Sequence, residues 1–223
     1  MKKRMALGWM ILFFASFVWA QEKCEAPVWN VGDKWTYKDA AGITWTNQVI
    51  DSKGDLFIVK IGGIQELCAF DGGIRDLYGF DKKTLNAKYL IKEGGRRVKY
   101  TGRWRETLNF PIFVGKEWTV STSALSKVYS MEFTLFDDFK IEGIEEVRTA
   151  AGTFKAYKIS WRESAAGWGN FISDPRYWYR LWYSPEVKTW IKRETWKNRQ
   201  TGTMWWLKAY EPQDAELISY QLN

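Results

Sequence analysis

Apolar and polar side chains alternate along much of this chain. In residues 129–135 (YSMEFTL) every apolar side chain falls on an odd position, and residues 157–162 (YKISWR) follow the same rule. In an extended chain successive side chains point to opposite faces, so this period of two predicts β-strands with one buried and one solvated face.

Turn-forming residues separate the alternating segments at short intervals. Glycine or proline marks these turns at residues 52–55, 71–73, 93–95, 150–152 and 184–186. Short connections join antiparallel neighbours. The sequence therefore predicts an all-β, mainly antiparallel fold of about ten strands with few helices. Residues 214–220 fit either a short helix or a last strand.

A continuous antiparallel sheet of this size twists and curls. We therefore predict one domain over residues 21–223, a curved meander that forms a half-barrel or a closed barrel. The hollow of either shape is a natural ligand site. Residues 163–176 interrupt the pattern, and we expect a loop there, which is either an idle insertion or a lid that carries Trp168.

A short pattern occurs twice. Residues 31–37 (VGDKWTY) resemble residues 114–120 (VGKEWTV), and each copy has a glycine followed by a strand whose first large residue is tryptophan. Two interpretations stay open: two related half-sheets, or a common way to begin a strand.

The first twenty residues are typical of a bacterial secretory signal. Three basic residues precede an apolar stretch that ends at residues 18–20 (VWA), and a polar sequence follows. The apolar stretch is shorter than the roughly 20 residues of a membrane-spanning helix. We predict cleavage after Ala20, a periplasmic or secreted protein, and no transmembrane segment after cleavage. Lipid attachment at Cys24 is not favoured, because Gln21, Glu22 and Lys23 precede it.

The composition argues against most kinds of catalysis. The chain has 15 tryptophans and no histidine. Without imidazole, catalytic Ser/His/Asp and Cys/His sets are excluded and the commonest metal ligand is missing. Paired carboxylates for glycoside cleavage are available, although neighbouring lysines suggest ordinary solvated charge; they are Asp137, Asp138, Glu142, Glu145 and Glu146. We predict a non-enzymatic protein without a metal or another cofactor.

Charge and cysteine content add two expectations. Loss of three basic signal residues lowers the net charge from +7 to +4, a mild excess that does not call for a nucleic-acid partner. Cys24 and Cys68 are the two cysteines. In an oxidising compartment they are expected to form a disulfide, unless Cys68 is simply a small buried side chain.

Aromatic residues concentrate near the C-terminus. Residues 177–183 (YWYRLWY) carry aromatic side chains on both faces of a predicted strand, and tryptophans recur in the two strands that follow. Neighbouring hairpin strands would bring them together, either as an aromatic core or as a ligand-facing patch. The candidate ligand-binding residues are Trp168, Trp178, Trp182, Trp190, Trp196 and Trp206.

Three hairpin motifs carry a family resemblance. Residues 110–118 (FPIFVGKEW), 151–159 (AGTFKAYKI) and 183–194 (YSPEVKTWIKRE) resemble motifs of a family of exported bacterial all-β proteins of unknown function. The sheet of that family resembles the half-barrel of periplasmic lipoprotein carriers. The resemblance implies a curved sheet with an apolar concave face, and it implies no catalytic residues.

Three functions fit these observations. The first is a non-enzymatic envelope protein that binds an apolar small molecule, a lipid or an acyl chain on the concave face of its sheet. The second is a module that binds a carbohydrate or an envelope polymer, which requires exposed indole rings. The third is a structural subunit whose aromatic patch contacts a protein partner.

Overall fold

The fold is taken from a computed structural model, which describes residues 22–62, 77–91, 95–99, 107–126, 131–167, 171–197 and 214–223. The signal at residues 1–20, Cys68, Trp168, Trp206 and the turns at 71–73 and 93–94 lie outside the described residues. Side chains near the ends of several long strands also lie outside them.

Every regular element of the described residues is a β-strand. The strands are β1 Lys34–Asp39, β2 Thr44–Lys53, β3 Leu56–Gly62, β4 Leu77–Asp81, β5 Ala87–Ile91, β6 Arg97–Lys99, β7 Glu117–Ser126, β8 Met131–Thr149, β9 Gly152–Gly167, β10 Phe171–Ser184, β11 Thr189–Lys197 and β12 Ala215–Gln221. All paired neighbours are antiparallel. The predicted fold class is confirmed, and the alternative of a helix at 214–220 is wrong.

The twelve strands form one sheet of two six-stranded meanders. Their order is β6-β5-β4-β3-β2-β1-β12-β11-β10-β9-β8-β7, so β12 lies between β1 and β11 and joins the two meanders. Within the described ranges the outer strands β6 and β7 do not pair with each other. The sheet is therefore open, and the closed barrel that was one of the two predicted shapes is wrong.

Each copy of the repeated pattern opens one of these meanders. In both copies the glycine N–H donates to a main-chain carbonyl oxygen of the meander's second strand. Gly32 donates to Val49 of β2 at 2.7 Å, and Gly115 donates to Ile141 of β8 at 2.8 Å. The N–H of Val49 or Ile141 donates in return to the carbonyl oxygen of the residue that follows the glycine, at 2.9 Å in both copies. Both glycines have positive φ, 99° and 85°. The repeat is thus structural, with the same main-chain bonding in each half of the sheet.

The core consists of two clusters of buried side chains. One draws on β1–β3, on β12 and on the hairpins β8–β9 and β10–β11, with Trp35, Tyr37 and Ile191 among its most buried members. The other draws on alternate positions of β8–β10, including Ile159 and Leu181. The alternation that predicted the strands therefore also selects the buried face.

Two extended segments cover part of the buried side of the sheet. The arm before β1 and the connection before β7 form an isolated antiparallel bridge between Cys24 and Ile112, and Ile112 is fully buried. Phe110 of the connection places its ring edge-on to Tyr183, 5.6 Å away. These segments occupy space that an empty concave face would leave open.

The segment expected as a loop, residues 163–176, is mostly strand. β9 extends to Gly167 and β10 begins at Phe171, with Phe171 opposite Gly167. Small residues in this stretch hide the period-two pattern, while the register set by the aromatic parts of both strands continues through it. The ladder shifts between Ser173 and Tyr177, where Pro175 has no N–H to donate.

No helix in the described part of the chain is long and apolar enough to span a bilayer.

Candidate functional site

The predicted tryptophan patch is divided between different environments. Trp178 lies directly opposite Trp196, and Trp182 lies four residues further along β10, on the same face as Trp178. Trp190 instead stacks on Tyr37, with ring centroids 4.0 Å apart. Trp168 and Trp206 lie outside the described residues, as does the side chain of Trp196.

A β-bulge explains why Trp190 departs from the prediction. Trp190 and Trp196 have the same sequence parity, which predicts one shared face. The register pairs Trp182 with Lys192 but Tyr183 with Trp190, so Ile191 is an extra residue in β11. One extra residue reverses the alternation beyond it, and Trp190 therefore packs in the core.

Trp182 is closed off from solvent. Its indole Nε1 donates to Glu145 Oε1 at 2.5 Å, and the ring is 5 % exposed. The ammonium groups of Lys192 and Lys158 lie 5.1 Å and 5.9 Å from the ring centroid. The indole of Trp182 therefore packs against charged side chains, and it offers no open ring face to a ligand.

Trp178 has the opposite character. It is 38 % exposed and lines a groove of about 450 Å³ on β7–β10. The charged lining residues are Glu117, Asp138, Glu142, Lys140, Arg162 and Arg180. Ser160 is also part of the lining, and Phe139 and Trp161 border it although their side chains are only 5 % and 6 % exposed. This groove combines one accessible indole ring with a polar wall, and it is the candidate site.

One row of the groove crosses four neighbouring strands. Thr119 stands opposite Asp138, Asp138 opposite Arg162, and Arg162 opposite Trp178. Thr119 Oγ1 donates to Asp138 Oδ1 at 2.8 Å, and Arg162 Nε donates to Asp138 Oδ2 at 3.1 Å. The carboxylate is thereby fixed between a hydroxyl and a guanidinium group, two strands away from the exposed indole.

A second row runs beside the first. It contains Glu117, Lys140, Ser160 and Arg180 in successive strands. Lys140 Nζ donates to Glu117 Oε1 at 2.7 Å, and this contact raises the pKa of the Lys140 ammonium group. Such exposed ion pairs add little stability. Their effect is to place donors and acceptors side by side along the groove.

The opposite face of the same strands holds a stacked row of aromatic rings. Phe139 lies 4.9 Å from Trp118 and 5.3 Å from Trp161, and Trp161 lies 4.6 Å from Tyr179. Adjacent planes differ by 27° or less. Rings stacked on every strand restrain the backbone that carries the groove.

The carboxylates considered for catalysis have other partners. Asp138 is paired with Arg162, and Glu142 and Glu145 lie 3.6 Å and 3.7 Å from Lys158 Nζ. Within the described ranges, no three His, Cys, Asp or Glu side chains are grouped so that they could hold a metal ion.

Cys24 is a free thiol in the described part of the chain. Burial raises its pKa, the carboxylates of Glu25 and Glu22 raise it further, and the neighbouring Tyr183 hydroxyl opposes them. Cys68 lies outside the described residues, so the predicted disulfide stays a prediction.

Sequence reasoning missed the polar rows of the groove. The indole of Trp178 was identified, but Asp138, Arg162 and Lys140 looked like ordinary surface charge. The sequence feature that marks them is their alternation with the buried Phe139 and Trp161, which places them on the polar face of their strands. Only the strand register shows that the polar positions line up across neighbouring strands.

No protein-family model matches the sequence, and no curated protein matches it. Solved structures of bacterial proteins are similar to the chain. They include a candidate lipoprotein from Parabacteroides distasonis (13% identity, 90% of this chain and 100% of that chain covered, TM-score 0.43). A candidate exported protein with a YmcC-like fold from Bacteroides fragilis is similar at 12% identity, with 89% and 99% covered and a TM-score of 0.42.

The hypothetical lipoprotein YmcC from Escherichia coli is similar at 10% identity, with 84% of this chain and 82% of that chain covered and a TM-score of 0.35. These three structures are described as one exported protein and two lipoproteins of bacteria. At these identities and TM-scores the likeness assigns no ligand, activity or lipid attachment to this chain.

Proposed function

We propose that this protein is a non-enzymatic binding module of the bacterial cell envelope, which holds a polysaccharide in the groove on β7–β10. The observation that carries the proposal is the exposed ring of Trp178 beside the Asp138–Arg162 ion pair. A flat indole can stack against the C–H face of a sugar ring, while a carboxylate and a guanidinium group hydrogen-bond its hydroxyls.

The character of the groove favours a sugar over a lipid. Six charged side chains line it, and burying them under an acyl chain would cost their hydration without a hydrogen bond in return. A sugar supplies hydroxyl groups that replace water at each polar side chain. A groove of about 450 Å³ lies within the usual range of small-molecule sites.

The side chains of the groove are held in position before a ligand arrives. They project from four paired strands, and the stacked aromatic row lies on the other face of those strands. Arg162 and Asp138 are further fixed by their mutual hydrogen bond. A site built on strands in this way loses little conformational entropy on binding.

The experiment is a binding screen of the mature protein against polysaccharides of the bacterial envelope, followed by calorimetry on the best ligand. Trp178→Ala is expected to weaken binding by about tenfold or more. Tyr220→Ala is the matched control, since Tyr220 is 39 % exposed and lies in β12, away from the groove. Absence of binding to every polysaccharide, or equal binding by the Trp178 variant, would overturn the proposal.

The apolar-ligand function is a second candidate, favoured by the stacked aromatic row. Trp118, at the outer strand of this row, is only partly buried, so an apolar chain has a ring to contact at the sheet edge. Native mass spectrometry of protein purified from its own host tests this candidate. Protein that carries no lipid and takes up none when lipids are added would exclude it.

A further inference from the structure

The groove contains equal numbers of acidic and basic side chains. Glu117, Asp138 and Glu142 balance the three basic residues of the lining. From this balance, and resting on the proposed function, we infer that the ligand is a neutral, hydroxyl-rich glycan, and that acidic glycans such as polyuronates are rejected.

The positions of the charges matter more than their sum. Two of the three basic groups of the lining have an acidic side chain beside them: Lys140 pairs with Glu117 at 2.7 Å, and Arg162 pairs with Asp138 at 3.1 Å. Arg180 stands opposite Glu194 in the β10–β11 ladder, and Glu194 itself pairs with Lys192 at 2.7 Å. A carboxylate that approached Lys140 or Arg162 would meet a carboxylate of the protein at nearly the same distance. Attraction and repulsion then largely cancel, and the cost of removing the ligand charge from water remains.

A sugar hydroxyl is well matched to the same arrangement. Each hydroxyl can donate one hydrogen bond and accept others, so neighbouring hydroxyls are satisfied by a carboxylate and a guanidinium group placed side by side. The Asp138–Arg162 pair uses one of the five N–H donors of Arg162. Both oxygens of Asp138 already accept one hydrogen bond, from Thr119 and Arg162, and each retains a second lone pair.

The geometry also assigns the orientation of the ligand. Trp178 and Arg162 face each other on neighbouring strands, and Asp138 is one strand further. Neighbouring strands are about 4.8 Å apart. A sugar ring stacked on Trp178 therefore directs the hydroxyls of one edge toward the ion pair, so recognition runs across the strands.

The experiment compares two oligosaccharides of equal length, one of unsubstituted hexoses and one of uronic acids, by calorimetry at low and at high salt. The neutral ligand is expected to bind at least about tenfold more tightly. Its affinity should change by less than about twofold with salt, because no net ligand charge is screened.

Preferential binding of the uronic acid ligand, with steep weakening at high salt, would overturn the inference and leave the proposed function standing. If neither ligand class nor any envelope polysaccharide binds, the proposed function falls and the inference falls with it.

Charge variants provide a second test. Asp138→Asn keeps the side-chain shape and leaves Arg162 without its counter-charge, so it is expected to improve relative binding of the uronic acid ligand by about tenfold. Lys155→Gln is the control, because it breaks an exposed ion pair with Glu22 in the N-terminal arm and should leave the preference unchanged. An unchanged preference in Asp138→Asn would contradict the assigned role of the ion pair.

Discussion

The indole Nε1 of Trp35 donates a hydrogen bond to the main-chain oxygen of Val187 at 2.7 Å, and thereby ties β1 to the turn between β10 and β11. Trp29 makes a parallel bond of 2.9 Å to the next carbonyl, that of Lys188. Two tryptophans of the first half thus hold one turn of the second half. Part of the tryptophan abundance therefore serves the joining of the two meanders.

Trp35→Phe is expected to destabilise the protein by about 1–3 kcal/mol, because it leaves the buried carbonyl of Val187 without its donor. Urea unfolding followed by circular dichroism measures the change. Trp29→Phe makes the same chemical change at a residue that is 8 % exposed against 1 % for Trp35, so its cost should be smaller. Equal stability of Trp35→Phe and wild type would show that the bond contributes nothing.

The two repeat glycines provide a matched pair of substitutions. Alanine at either position must adopt positive φ, which costs about 1–2 kcal/mol. A β-carbon at Gly32 would also overlap Nδ2 of Asn223, while one at Gly115 has open space around it. Gly32→Ala should therefore be at least as destabilising as Gly115→Ala in thermal unfolding. A neutral result for both would contradict the backbone conformation.

Asp81 makes stability depend on pH. Burial raises the pKa of its carboxyl group, but the Lys88 ammonium and the N–H groups of Thr84 and Lys83 outweigh burial and hold the pKa below its ordinary value. The stabilisation is therefore fully present above about pH 4, the ordinary pKa, and is lost as the pH falls through the lower folded-state value.

Asp81→Asn should lower the free energy of unfolding by about 1–2 kcal/mol at neutral pH. Measured by urea unfolding, this difference from wild type should shrink below about pH 4. Asp55→Asn is the control, since Asp55 lies 4.0 Å from the same lysine and is largely exposed. If the stability difference between Asp81→Asn and wild type stays the same in acid, the charge of Asp81 has no role in it.

The Cys24 thiol should react slowly in the folded protein. Its raised pKa keeps it protonated at neutral pH, and the thiolate is the reactive form. Labelling of Cys68→Ser with a thiol reagent isolates Cys24, and urea should accelerate the reaction greatly. Labelling of the native protein at the rate of a free thiol would contradict the environment described. Non-reducing mass spectrometry of the wild type tests the predicted disulfide separately.

Periodicity and turns predicted most of the architecture but little of the site. Alternation of apolar and polar residues predicts strands such as β9, because one face of the strand is buried and the other is solvated. The bulge at Ile191 and the pairing of β1 with β12 depend on contacts between distant residues, which no local pattern records. The alignment of Asp138, Arg162 and Trp178 across the strands depends on that register in turn.

The place of β12 has a consequence for how the protein matures. This strand is the last of those described to be synthesised, yet it lies between β1 and β11, where Ala215 and Leu217 are buried. Until β12 is synthesised, β1 and β11 each keep one unpaired edge, and no hydrogen-bonded ladder joins the two meanders. Joining of the two meanders by β12 is thus the last pairing step that the order of synthesis allows, although the ladders within each meander need no residue of β12.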